Sequence, residues 1–407
     1  MQRRHLLQYL GAASLAPLAL YGSRSWAAPG AGRNKFLLVF LRGGYDAANL
    51  LVPTANTFYE ESRPHIAIAR PGRPQGALPL DAQWGLHPAL ASTVLPLYQR
   101  GQVAFIPFCG TDDLTRSHFE TQDSIELGQG VGERRDFRSG FLNRLCAELG
   151  AEQGAEKGGA EGLGIAFTDQ LPLVLRGPVP VANVALASVG KAGVDERQAR
   201  IIEAMYGGGP LATPVREGFQ VQAEARQSLQ AEMDSANRRA MSARGFEQVA
   251  RRLAFLLQSS HDIGFVDVGG WDTHVAQGGA SGALANRFEE LGQGLAALAD
   301  GMGETWGRTT VVVISEFGRT FRENGNRGTD HGHGSVLWVL GGSLRGGRVL
   351  GEQVAVSPAT LFQNRDFPVL NDYRSVLAGL FARQYGLGPQ ALQRVFPGAA
   401  VRDLGLV

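Results

Sequence analysis

The 407-residue sequence predicts an α/β fold, a central and mostly parallel sheet flanked by helices. Three observations predict it. Apolar runs such as "KFLLVFL" and "TTVVVI" are continuous rather than alternating, as in strands covered on both faces. Stretches of helical period lie between them, and alternating strands and helices build an α/β sandwich. Glycine, at 55 residues, suits many abrupt strand-to-loop transitions.

At the N-terminus, Arg3 and Arg4 precede a moderately apolar stretch, Leu6 to Leu20. Ser25 and Ala27 then supply the small residues of a processing site. This is the pattern of a twin-arginine export signal cleaved after Ala27, leaving residues 28–407 as one periplasmic or secreted domain. The expected strands are Lys35 to Leu41, Gln102 to Pro107, Ile263 to Val268, Thr309 to Ile314 and Val336 to Leu340. The expected helices are Phe137 to Leu149, Phe219 to Gln258 as one bent or two separate helices, Asn286 to Asp300, and Asn371 to Tyr385. Asn371 or Asp372 can cap the last of these. Gly150 to Gly164 is a low-complexity surface loop.

Several function classes are disfavoured. The net charge of +1 provides no field for nucleic acid or an anionic membrane. No later segment reaches about 18 continuous apolar residues, so no membrane span is expected in the mature chain. Cys109 and Cys146 can pair in an oxidising compartment, but two thiols form neither a disulfide framework nor a Cys-rich metal site. There is no G-x-S-x-G elbow, H-E-x-x-H helix or phosphate-binding G-x-x-x-x-G-K-[ST] loop.

Ligands of open α/β sheets sit beyond the carboxyl ends of the strands. Asp46 follows the first strand, and "GTDDLTRSHFETQD" follows the second. Asp272 and His274, in "GGWDTH", follow the third. Glu316 follows the fourth, and "TDHGHG", with His331 and His333, leads into the fifth. Five segments thus bring carboxylates and imidazoles to one edge, a ligand set for zinc, manganese or iron. Ser117 is a candidate nucleophile, with Thr111 behind it. In "SHFE" it also reads as a helix N-cap with Glu120 reaching back. Arg42, Arg116 and Arg319 lie beside these residues and are candidates to clamp a tetrahedral anion.

"LRGGYDAANLLVP", "LHPAL", "RSHFETQD", "GGWDTH", "SEFGRT…GTDHGHG" and "NDYRSVLAGLF" resemble, in that order, the exported domain-of-unknown-function 1501 family. The family is grouped with the alkaline-phosphatase-like superfamily of phosphatases, sulfatases and phosphoglycerate mutases. The resemblance implies an alkaline-phosphatase-like three-layer sandwich, a binuclear metal site, and transfer or hydrolysis of phosphate or sulfate esters. It implies zinc or manganese, one or two ions per chain, held by Asp46, Asp272, His274, Glu316, His331 and His333. The nucleophile would be Ser117, Thr111 or a metal-bound water, with Arg116 beside it and a small anionic ester as substrate. The chain departs from the pattern at Glu316-Phe317, where an Asp-His pair is expected. The missing imidazole would come from His118, or from whichever of His331 and His333 does not serve the first metal. The sulfatase modification sequence C/S-x-P-x-R is absent at both cysteines and near Ser117, which argues against an ordinary sulfatase. The alternative class is an exported binding or assembly protein that keeps a metal for stability alone.

Replacing both Arg3 and Arg4 by Lys should leave uncleaved precursor in the cytoplasm. Immunoblots of cell fractions check this; normal export of the double variant would reject the signal.

Overall fold

The computed structural model describes residues 33–132, 135–151, 163–184, 240–259 and 261–407. Arg3, Arg4, Ala27, the 219–239 part of the long expected helix and most of the low-complexity loop lie outside them. Asn34–Val407 forms one compact unit.

Six strands dominate the main sheet: β1 (Lys35–Leu41), β2 (Val103–Gly110), β3 (Gly164–Phe167), β4 (Ile263–Gly269), β5 (Thr309–Ser315) and β6 (Ser335–Gly341). Their spatial order is β2-β6-β5-β1-β4-β3. The short pairs Arg348–Val349 and Ala182–Asn183 extend the sheet beyond β2 and β3. The pairs β5-β1, β1-β4 and β4-β3 are parallel, whereas β6 runs antiparallel to both β5 and β2.

Burial explains the continuous apolar runs. All residues of β1 are buried. Leu37, Val39 and Leu41 join one core cluster, while Phe36, Leu38 and Phe40 join the other. Side chains of a strand alternate between faces, so a strand covered on both must be apolar at every position. Helices α3 (Phe246–Ser259) and α4 (Ala283–Met302) cover the first face through Leu253, Leu284 and Phe288. Helices α2 (Phe141–Ala151) and α5 (Tyr373–Tyr385) cover the second through Phe141, Leu145, Leu377 and Phe381. Cys109 and Cys146 both lie in the second core and are free rather than paired.

Helix α1 (His118–Leu127) follows β2. Because β6 alone among the six strands is reversed, its start lies at the edge where β1, β2, β4 and β5 end. Residues after those four strands and residues before β6 are therefore neighbours. The approach is close at Gly43. Its φ is +120°, and a Cβ there would lie 2.5 Å from the Asp272 nitrogen.

Asp372 is the N-cap of α5, accepting a hydrogen bond from the Arg374 nitrogen at 2.9 Å. Asp372→Ala should cost about 1 kcal/mol in denaturant unfolding, and Asp372→Asn should recover most of it.

Candidate metal centre

His118 opens α1, Asp272 and His274 follow β4, and His331 precedes β6. Their side chains converge. His331 Nε2 lies 2.9 Å from His118 Nε2 and 3.1 Å from His274 Nε2. Asp272 Oδ1 is 2.8 Å from His274 Nε2 and 3.3 Å from His331 Nε2, and Oδ2 is 3.4 Å from His118 Nε2. Among the described residues, His118, Asp272 and His331 form the one group with ligand atoms within 4.8 Å of one another.

The opposite ring nitrogens are all committed. His118 Nδ1 faces Glu316 Oε1 at 2.8 Å, His274 Nδ1 faces Asp330 Oδ1 at 3.2 Å, and His331 Nδ1 faces the Arg116 carbonyl at 3.1 Å. Each partner is an acceptor, so each Nδ1 carries the proton and donates it. In the neutral ring Nε2 is then a bare lone pair, the usual arrangement of a metal-ligating histidine. Three such lone pairs beside a carboxylate repel one another unless a cation lies between them. Asp272 Oδ2 is buried and has no hydrogen-bond partner, although buried polar atoms are normally satisfied. Bonds of about 2.0–2.1 Å in a tetrahedral set would put zinc ligands about 3.3 Å apart, close to the separations here. The residues present therefore fit a divalent ion.

Protons can substitute for part of that charge. Burial disfavours protonation of His118, but hydrogen bonds to Asp272 and Glu316 and their charges outweigh it and push its pKa up to about 9. Burial likewise opposes ionisation of Asp272 and Glu316. The adjoining His118, His274 and His331 rings and the Arg319 charge nevertheless hold Asp272 well below the usual carboxylate range, and hydrogen bonds from His118 and Gln122 bring Glu316 down to about 2.

Residues 33–396 match the family model described as "Protein of unknown function (DUF1501)". The chain belongs to the DUF1501 family. No curated protein matches this DUF1501 chain in sequence. Among solved structures it is similar to Ps i-CgsB, at 10% identity over 90% of this chain and 75% of that chain, with a TM-score of 0.41. It is similar to Ps i-CgsB in complex with k-i-k-neocarrahexaose, at 8% identity, 79% and 69% coverage, and a TM-score of 0.39. A protein in the alkaline phosphatase superfamily from Vibrio parahaemolyticus matches at 14% identity, with 78% of this chain and 62% of that chain covered and a TM-score of 0.33.

Not every expected ligand of the DUF1501 chain reaches the cluster. The Asp46 carboxylate is fully buried but faces Arg63, whose Nη1 donates at 2.5 Å, and Gln277, whose Nε2 donates at 2.6 Å. Its charge is compensated there instead of by an ion. Glu316 stands behind His118, accepting also from the Gly43 nitrogen at 2.8 Å and Gln122 Nε2 at 2.9 Å, with Ser315 Oγ 2.9 Å from its other oxygen. It meets the His118 ring at Nδ1, on the side away from the cluster. His333 packs its ring 5.1 Å from Phe362, and burial brings its pKa down to about 4. Phe317 lies 4.9 Å from the His118 ring and 5.0 Å from the His331 ring, walling the cluster on one side.

The expected anion clamps are also engaged. Arg116 Nη2 donates to buried Asp366 at 2.6 Å, and its φ of +54° is a strained backbone conformation. Arg319 Nη1 donates to Asp272 Oδ1 at 2.5 Å, and its Nη2 to the Thr329 carbonyl. Arg42 pairs with Asp267 and Glu126 at 2.6 and 2.9 Å. Thr111 Oγ1 donates to Asp112 at 3.2 Å. Ser117 holds the N-cap position of α1, yet its side chain makes no capping bond, contrary to the capping-box expectation. Sequence reasoning offered His118 only as a substitute imidazole and missed Asp330 as the partner of His274.

Metal analysis of purified variants checks these assignments. His118→Ala, Asp272→Asn and His331→Ala should each lower the bound metal. Asp46→Asn should keep the metal and lose about 3–5 kcal/mol of stability, because it leaves Arg63 as an uncompensated buried charge.

Proposed function

We propose that this protein is an exported, metal-dependent hydrolase of phosphate or sulfate esters. One observation carries the metal: the His118 and His331 Nε2 atoms and a buried Asp272 oxygen with no hydrogen-bond partner lie together, with His274 Nε2 beside them. The His331 and His274 side chains are 16% and 11% exposed, the side from which a small ester would approach. The ester class rests on the motif resemblance.

His118, Asp272 and His331 would hold the ion, with His274 beside them. When bound, the ion would act as a Lewis acid on an ester oxygen. Glu316, Asp330 and the Arg116 carbonyl keep the three rings turned with Nε2 inward. Arg319 holds Asp272 in place. Ser117 adjoins His118, is half-buried and has a hydroxyl uncommitted to capping. At the start of α1 it meets the positive end of the helix dipole, which favours an alkoxide and an anionic substrate. Since Arg42, Arg116 and Arg319 are paired with carboxylates, the substrate charge would be balanced chiefly by the ion.

A second reading starts from His274 Nε2, which lies 3.1 Å from His331 Nε2 and 2.8 Å from Asp272 Oδ1. If His274 also ligates, four protein donors close a tetrahedral set, as in a structural metal site. The chain would then be an exported binding or assembly protein.

Chromogenic phosphate mono- and diesters and sulfate esters, tested with zinc and manganese, separate the two. Wild-type protein should hydrolyse at least one ester. Ser117→Ala should lose on the order of 100-fold or more in kcat at unchanged metal content. Its stability should change by less than about 0.5 kcal/mol, because no capping bond is lost. A fully metallated wild-type protein that hydrolyses none of them would favour the binding protein.

A further inference from the structure

Helix α1 carries three polar side chains four residues apart: His118, Gln122 and Glu126. That spacing places them on one helical face. All three are buried, and the fully buried Arg42 lies along the lower half of the row. Its Nη1 donates to Gln122 Oε1 at 2.8 Å, its Nη2 to Glu126 Oε1 at 2.9 Å, and its Nε to Asp267 Oδ2 at 2.6 Å.

The geometry points to Gln122, oriented by Arg42, as a positioning residue for the metal centre. This rests on the metal reading above. A side-chain amide has one accepting and one donating end. Arg42 can only donate, so the Gln122 oxygen must face it and the Gln122 NH2 must face Glu316, which it meets at 2.9 Å. Glu316 Oε1 thus receives the Gln122 amide, the Gly43 amide and the His118 ring N–H together. With those three donors on the same oxygen, Glu316 Oε1 serves only as an acceptor. His118 therefore donates through Nδ1 and keeps Nε2 free for the ion. The chain of control runs Arg42, Gln122, Glu316, His118, without Arg42 or Gln122 touching the metal point.

Partners beyond the ligands of metal sites commonly set affinity by about 10–100-fold, and that is the effect expected here. Wild-type protein and the variants Gln122→Leu and Gln122→Glu would be titrated with zinc against a chromophoric chelator, with metal-free melting temperature as the folding control. Gln122→Leu removes the donor and should weaken zinc binding about 10-fold or more. Gln122→Glu keeps the acceptor for Arg42 but sets a carboxylate against Glu316, and should weaken it further. Should either fail to fold, long-range proton–nitrogen spectra of the zinc-loaded wild-type protein report the ring directly: His118 should carry its proton on Nδ1. Wild-type zinc affinity in folded variants, or a His118 proton on Nε2, would overturn the inference. Wild-type protein that binds no zinc or manganese would overturn the metal reading, and this inference with it.

Discussion

Glu316 is a charge buried with no exposure at all, and this edge of the sheet is arranged around satisfying it. An ionised carboxylate removed from water costs several kcal/mol unless hydrogen bonds replace its hydration. Here the donors come from the turn after β1 and from two successive turns of α1, while Ser315 at the end of β5 packs its hydroxyl against the second oxygen. Each donor fixes its own element. The glycine at position 43 lets that turn come close enough to donate, and α1 is set at the depth where His118 faces His331. One buried charge thus locks three separate parts of the chain into register.

Two buried aspartates near this edge meet opposite fates. Both Asp46 oxygens are satisfied, by Arg63 and Gln277. Asp272 has Arg319 on one oxygen and no hydrogen-bond partner on the other, with imidazole nitrogens around it. The residue type is the same, and the surroundings decide whether both oxygens are satisfied or one is left without a hydrogen-bond partner.

This contrast explains how much could be read in advance. The central strands were legible because a strand buried on both faces has no freedom to be polar. β3 was missed because four residues, one of them glycine, leave too short a run. "GGWDTH" and "TDHGHG" were legible as ligand-bearing loops because clustered acid and imidazole residues among glycines are uncommon. Asp46 and Glu316 looked like ligands because a carboxylate that binds metal and one that takes hydrogen bonds from neighbouring side chains are the same side chain. Nothing marked Arg63, Gln122 or Gln277, whose roles depend on contacts distant in sequence. The uncommitted Ser117 hydroxyl was equally hidden, since "SHFE" fits a capping box whether or not the bond forms.

The reversed direction of β6 has a consequence for the order of assembly. β5 and β6 are adjacent and antiparallel, so the segment joining them is a long hairpin loop carrying Glu316, Arg319, Asp330 and His331. Its Arg319–Thr329 contact spans 10 residues, whereas the His118–Glu316 contact spans 198. Loop-closure entropy makes the longer contact costlier to form by about 2–3 kcal/mol. Half of the centre is therefore local in sequence and closes cheaply, while His118 and Asp272 arrive only with the long-range sheet.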